Sequence, residues 1–324
     1  MTIEQDLYYD DYYIELYLKQ GESLFHFEYK EKENFFLNKA IKRPIEKVGN
    51  EKLEIVYYDL ETVYGYGGFY VNTDDQSFVT RAWKAYINKC YEEKVIAEFI
   101  RFHPWNDFPL KYHTFLNFCT VDREVVVKDI KTDIMKSYRS KTRNIVKKAL
   151  EKVHIQESQD IYTFQMLYTK TMQKNNASSF YYFNTEYFKT LLNHKAVKLY
   201  EAIYKGDTVS MSFFIFGKEI VYYHLSANSE LSYRINANYA LLHYVFEDAK
   251  RYDKQYVLLG GGSSSDKDDS LFKFKKKFSS LYKPFYIAGK IYNQELYEQY
   301  MALWHKQSRQ QNIPFFLKYR LEIA

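Results

Sequence analysis

The segment Leu271-Phe-Lys-Phe-Lys-Lys-Lys-Phe278 sets four lysines among three phenylalanines. Read as a helix, it puts Leu271, Phe274 and Phe278 on one anchoring face, with Lys275 beside that face and Lys273 and Lys277 on the flank. A lysine held at a cleft edge neutralises a phosphate or stabilises the oxyanion of a tetrahedral intermediate. On an open basic helix it does neither, and both readings stand. A second candidate is the strand around Tyr222-Tyr-His-Leu-Ser226. Strict alternation sends Tyr222, His224 and Ser226 to one face and Tyr223 to the other. His224 can accept an amine proton because its ordinary pKa lies near neutrality, or it can serve the core. Tyr223 and Ser226 are candidate substrate contacts.

Charge and glycine mark three further places. Lys136, Arg139, Arg143 and Lys147 recur at helical spacing, which sets the charges about 6 Å apart. That row suits a diphosphate or an RNA end, or is simply a solvated face. Arg101 and His103, with Asp107, fall at a strand end and are candidates for an acceptor cleft between modules. Tyr66, Gly67 and Gly68 belong to Tyr64-Gly-Tyr-Gly-Gly68, a turn or a ligand-facing loop. The run Gly260 to Ser265 lacks the spacing of a nucleotide phosphate loop and reads as a flexible connection. Gly-x-Ser-x-Gly does not occur. Cys90 and Cys119 are the two cysteines, with no metal-type spacing and no disulfide framework.

The elements that must position these residues follow from periodicity. Helices are predicted over 77–94, 132–153, 159–174, 185–193, 239–252, 270–279 and 294–309. Strands are predicted over 23–29, 53–58, 95–102, 114–120, 124–129, 154–157, 197–204, 208–217, 220–227, 255–259 and 284–292, with a last one over 315–319. The second half reads as two helices, three meander strands, then helix, strand, helix and strand, the order of an acetyltransferase-type module. The first half shows a degenerate version. The expectation is an N-terminal module over 1–153, completed by 310–324, and a C-terminal module over 154–309.

Composition limits the function classes. The chain has 324 residues, 46% hydrophobic, long enough for two domains. Its 35 Tyr and 25 Phe imply many half-buried rings with a hydroxyl to satisfy. A net charge of +5, from 46 basic and 41 acidic residues, fits an anionic small ligand better than duplex DNA. The acidic N-terminus has no apolar core and does not read as a signal peptide, and no apolar run reaches spanning length.

Four stretches resemble one family. Tyr64 to Gly68, Ala97-Glu-Phe-Ile-Arg-Phe-His-Pro104, Tyr138-Arg-Ser-Lys-Thr-Arg-Asn-Ile-Val-Lys-Lys148 and the Leu271 to Phe278 segment resemble, in order and spacing, the FemAB-like proteins found with surface-polysaccharide genes. The resemblance implies an α/β fold of two GNAT-like acyltransferase modules, each a mixed, mostly antiparallel sheet flanked by helices. It places Lys275 at the signature lysine. It also implies transfer of an acyl or aminoacyl group to an amine of a cell-envelope precursor: a sugar nucleotide, a lipid-linked glycan or a muropeptide. The alternative is a non-catalytic module of the same fold that holds an anionic glycan or nucleotide-sugar intermediate.

The donor is expected as a cosubstrate, acyl-CoA or aminoacyl-tRNA, with no tightly bound cofactor and no metal. Acyl-CoA enzymes of this fold seat the pyrophosphate on a loop of the type Gln/Arg-x-x-Gly-x-Gly/Ala at a helix N-terminus. Here the loop is Arg234-Ile-Asn-Ala-Asn-Tyr239. Arg234 fits, whereas Ala237 and Tyr239 hinder close approach of a phosphate. Expected partners are an anionic or lipid-linked glycan substrate and a tRNA acceptor end. The expected location is the cytoplasm, with peripheral contact at the inner face of the membrane.

Overall fold

The computed structural model describes residues 2–309 and 313–323. In chain order it opens with α1 (Asp11–Glu15), β1 (Ser23–Glu31), β2 (Asn34–Val48), β3 (Glu51–Glu61), β4 (Tyr70–Val71), α2 (Gln76–Glu92), β5 (Val95–Arg101) and α3 (Phe108–Lys111). Next come β6 (Phe118–Asp129), α4 (Ile134–Ser137), α5 (Ser140–Leu150), β7 (His154–Ser158), α6 (Ile161–Lys174) and α7 (Thr185–Asn193). The meander β8 (Val197–Tyr204), β9 (Asp207–Phe216) and β10 (Ile220–Asn228) leads into α8 (Glu230–Ile235) and α9 (Ala237–Arg251). The chain then runs through β11 (Tyr256–Gly260), α10 (Ser270–Lys275), β12 (Leu281–Ile291) and α11 (Gln294–Gln307).

Two compact units result, and their boundary differs from the expected break at 153/154. A central unit comprises Met1–Leu7 with Arg123–Pro284, and a flanking unit comprises Tyr8–Asp122 with Phe285–Ala324. The reason lies in the core. Ile130, Ile134, Tyr138, Val146 and Ala149, expected in the first module, pack with Leu241, Val245, Phe246 and Val257 of the central unit.

Both units repeat one pattern. In the flanking unit, β1, β2 and β3 are antiparallel, β3 pairs in parallel with β5, and β12 closes on β5 in antiparallel fashion. In the central unit, β7 to β10 are antiparallel, β10 pairs in parallel with β11, and β6 closes on β11 in antiparallel fashion. Each closing strand comes from the other half of the sequence. That exchange moves the boundary into β6 and β12, and two similar modules are present.

The missed strand β2 contains Lys39, Lys42, Arg43 and Pro44, which hide its period. The charges are neutralised in place: Lys39 pairs with Asp11, Lys42 with Glu93, and Arg43 with Asp59 and Glu61. The strands expected at 114–120 and 124–129 merge into β6, and the one expected at 315–319 is replaced by a short 3-10 turn, Lys318–Arg320. Residues 310–312 lie outside the described residues. Arg320 reaches Asp59 at 2.7 Å and the carbonyls of Pro44 and Arg43, which ties the C-terminal residues to β2 and β3.

In the flanking unit, α2 covers one face of the sheet through Phe78, Trp83 and Tyr86. Beneath it Glu98 is fully buried and accepts from Asn38 at 2.8 Å, Tyr86 at 2.7 Å and Tyr292 at 2.5 Å. Burial pushes its pKa up, partly offset by these donors. The glycine-rich turn packs against the end of β5. Gly68 has φ +84°, and a Cβ there would sit 2.5 Å from the Phe102 ring. Strain and overlap act together. Gly68→Ala is expected to lower the unfolding free energy by ~2 kcal/mol or more in urea titration, whereas Gly206→Ala, which meets nothing within 4 Å, retains more stability.

Candidate active site

In the central unit the decisive local feature is a divergence of strands. β10 and β11 pair only from Ile220 to Tyr222, opposite Tyr256 to Leu258. Beyond that point β10 carries a bulge: Tyr223 lies opposite Phe214, and Leu225 opposite Phe213, so His224 has no place in the register. A bulge shifts the alternation by one residue. It therefore corrects the expected facing. Tyr223 and Ser226 share a side, the reverse of strict alternation, and the Tyr223 hydroxyl interacts with Ser226 and Ser212. Ser212 donates to Ser226 at 3.1 Å, and Asn228 steadies Ser226 at 3.0 Å.

Lys275 is placed by the other strand. β11 ends at Gly260, with φ +78°, and Gly261 and Gly262 follow. A side chain at Gly261 would meet Arg123, and one at Gly262 would meet Asp269. Asp269 caps α10 by accepting from the Phe272 amide at 2.9 Å, and it also binds Ser263. Lys275, 7% exposed, donates from Nζ to the Gly261 carbonyl at 2.7 Å and lies 5.8 Å from the Tyr223 ring centre. Burial lowers its pKa to about 7, with Asp269 opposing and Arg123 adding to the fall. A buried amine with this pKa is a proton donor or acceptor near neutrality.

The anchoring of α10 differs from the expected face. Leu271 is 39% exposed, while Phe272 and Phe278 are buried and Phe274 is half-buried. The helix ends at Lys275 rather than Ser279, so helical spacing does not extend to Phe278. His224 is half-buried, and its Nε2 lies 3.4 Å from the Tyr187 hydroxyl. Burial drives its pKa down to about 3, which keeps the ring neutral at physiological pH.

The loop before α9 is closed by protein. Asn236 is left-handed at φ 61°, Ala237 is fully buried, and Arg234 is exposed in the last turn of α8. The Tyr239 ring packs 5.1 Å from Phe274 and 5.3 Å from Phe278, and its hydroxyl accepts from Lys277 at 2.9 Å.

The expected single helix over 132–153 is broken. Tyr138 and Arg139 are extended, with ψ 145° and 149°, which separates α4 from α5 and takes Lys136 out of the basic row. Tyr138 is buried with its hydroxyl 3.1 Å from His243, and that burial holds the break. Arg139 caps α5 without a side-chain bond and is exposed. Arg143 donates to the Tyr138 carbonyl at 3.1 Å, and its Nε has no hydrogen-bond partner among the described residues.

The remaining sequence candidates lie in the flanking unit. Tyr66 is half-buried, edge-on to His103 at 5.6 Å and to Phe285 at 5.5 Å. Gly67 is buried, and its carbonyl accepts from the Tyr9 hydroxyl at 2.7 Å and the His103 amide at 3.0 Å. Gly68 is buried against Phe102, so packing accounts for both glycines without a ligand. Arg101 is engaged by Glu61 at 2.7 Å and by the Thr62 carbonyl at 3.0 Å. His103 is buried, accepting from the Trp105 amide at 3.2 Å, which corrects its expected place on a cleft wall.

Sequence reasoning missed Arg123, Ser212, Tyr187 and Asp269. Only Asp269 left a signal, an N-cap residue just ahead of the Phe-Lys helix. Among the described residues, no cluster of His, Cys, Asp or Glu could hold a metal ion.

No family profile and no curated protein matches this sequence. Solved structures do. The crystal structure of FemX superposes with a TM-score of 0.71, covering 89% of this chain and 93% of that one at 13% identity. The chain has the fold of FemX. L-PGS from Bacillus licheniformis follows the same fold, with a TM-score of 0.55, 14% identity, and 86% and 88% of the two chains covered. A conserved protein of unknown function from Bacteroides thetaiotaomicron gives 0.51, at 14% identity over 79% and 85%. The two-module acyltransferase fold implied by the FemAB-like motifs is thus matched in three dimensions.

The Asp269 cap holds the lysine-bearing helix. Asp269→Ala is expected to cost about 1 kcal/mol of stability in chemical denaturation. Asp269→Asn, which can still accept from the Phe272 amide, restores most of it.

Proposed function

We propose that the protein is an N-acyltransferase that passes an acyl or aminoacyl group to an amine of a cell-envelope precursor. The observation that carries this reading is Lys275: a buried amine with a pKa near 7, fixed on the Gly261 carbonyl where β10 and β11 part. The FemX fold supports it. Amine acylation needs a deprotonated nucleophile, a stabilised carbonyl oxygen and close positioning. The protonated Lys275 is the oxyanion partner in this reading, with Tyr223 and Ser226 orienting the acyl group. His224, held neutral by burial beside Tyr187, is too weak a base to be assigned the amine proton, which leaves instead on the departing oxygen of the donor ester.

The donor is a cosubstrate. Tyr239, packed on Phe274 and Phe278, fills the helix start where a CoA pyrophosphate would approach. That favours an aminoacyl ester, such as the acceptor end of a charged tRNA, over acyl-CoA bound at this loop. Arg139 and Arg143 stand at the start of α5, where helix amides and two guanidiniums suit a phosphate-bearing substrate. The acceptor classes are a sugar nucleotide, a lipid-linked glycan and a muropeptide. Among the described residues no helix is long and apolar enough to cross a membrane. A cytoplasmic site of action, at the inner membrane face, belongs to the same proposal.

Donor-dependent mass gain on amine-bearing precursors, followed by mass spectrometry, tests the reading. Turnover with none of the donors, alongside binding of an anionic glycan, would favour a silent binding module instead. Lys275→Ala and the volume-matched Lys275→Met are expected to lose at least a hundredfold in turnover with unchanged circular dichroism. If the ammonium is the active form, turnover falls as pH rises through about 7, the pKa of Lys275. A rate that rises over that range instead makes the neutral amine the working species. Arg139→Ala with Arg143→Ala should weaken substrate binding and flatten its salt dependence.

A further inference from the structure

Helix α6 has an unusual outer face. Ile161, Phe164, Leu167, Tyr168 and Thr171 are buried. The opposite side carries Tyr162, Met166, Lys170 and Lys174 at four-residue spacing, all exposed. Tyr162 is 68% exposed and Met166 51% exposed, where an ordinary surface helix places charged or polar groups. No acidic residue occurs anywhere from Ile161 to Lys174. Cation–π pairs extend the row at both ends. Lys189 of α7 lies 5.4 Å from the Tyr162 ring centre, and Lys174 lies 4.8 Å from that of Tyr233 on α8, itself 45% exposed. The result is a strip along about 18 Å of helix, at 1.5 Å per residue, in which two apolar groups are followed by two lysines, with Lys189 at one end and Tyr233 at the other.

We propose that this strip docks on an anionic membrane surface. Tyr162 and Tyr233 supply rings suited to the headgroup level, and Met166 reaches the acyl boundary. Lys170, Lys174 and Lys189 meet lipid phosphates, with their aliphatic stems lying along the apolar row. Charge complementarity selects an anionic partner. The cores of protein interfaces are depleted in lysine, which disfavours a protein occupant. A nucleic acid offers phosphates without an apolar layer for Met166 beside them. This docking requires no turnover, so it stands or falls separately from the transfer reaction.

Vesicle flotation tests it, comparing phosphatidylcholine vesicles with vesicles in which one third of the lipid is phosphatidylglycerol. The protein is expected to float only with the anionic vesicles, and less so at high salt. Each lysine at an anionic surface is worth about fivefold in affinity, so K170E with K174E should weaken binding about thirtyfold or more. Met166→Asp should also weaken it, and Tyr91→Ser on α2 of the flanking unit should not. Unchanged circular dichroism of the variants assigns the loss to the surface. Absence of flotation overturns the proposal, as does binding that survives K170E with K174E. Self-association in sedimentation that these substitutions abolish, without vesicle binding, would assign the strip to a second copy of the chain.

Discussion

The hydrogen bond from Lys275 to the Gly261 carbonyl is the constraint around which the central unit is arranged. A buried ammonium is costly unless its donors are satisfied. Here the acceptor is a main-chain carbonyl just past the end of β11, freed because that strand has parted from β10. The bulge at His224 and the left-handed Gly260 make the parting possible. Two side-chain-free positions then let Arg123 and Asp269 close in from either side. Glycine, bulge and cap are thus separate local devices serving one placement.

Much of the architecture was legible because its helices and meander strands are strongly periodic. Helix α7 and strand β8 fall where the apolar spacing puts them, since α7 buries Tyr187, Phe188 and Leu191 along one side and β8 is buried over most of its length. The failures have physical causes. β2 was hidden by Lys39, Lys42 and Arg43, whose partners Asp11, Glu93, Asp59 and Glu61 lie elsewhere in the sequence. Period alone gave no warning of the bulge, which reverses the facing of Tyr223 relative to Ser226. The break at Tyr138 was invisible because its cause, burial with His243, is more than 100 positions away along the chain. Lys275 was visible as a residue type, but its carbonyl partner was not.

The two units treat buried charge differently. In the flanking unit, Glu98 is enclosed by an amide and two phenols that satisfy it without a cation. Such fully paired networks stiffen a core and specify its packing. In the central unit, Lys275 has its protonation poised near neutrality, with its Nζ on the Gly261 carbonyl and 5.8 Å from the centre of the Tyr223 ring. One buried charge is locked by its donors, and the other sits on an amine that exchanges its proton near neutrality.

The interleaving of the two units bears on biosynthesis. Residues 8–122 leave the ribosome ahead of the 123–284 segment, yet their sheet lacks β12 until all of that segment has followed. Until then β5 presents an unpaired edge, the kind of surface that invites mispairing. Slow, late closure by a distant strand also gives high contact order, and hence sluggish folding. Residues 8–122, expressed without residues 285–323, leave that sheet unfinished.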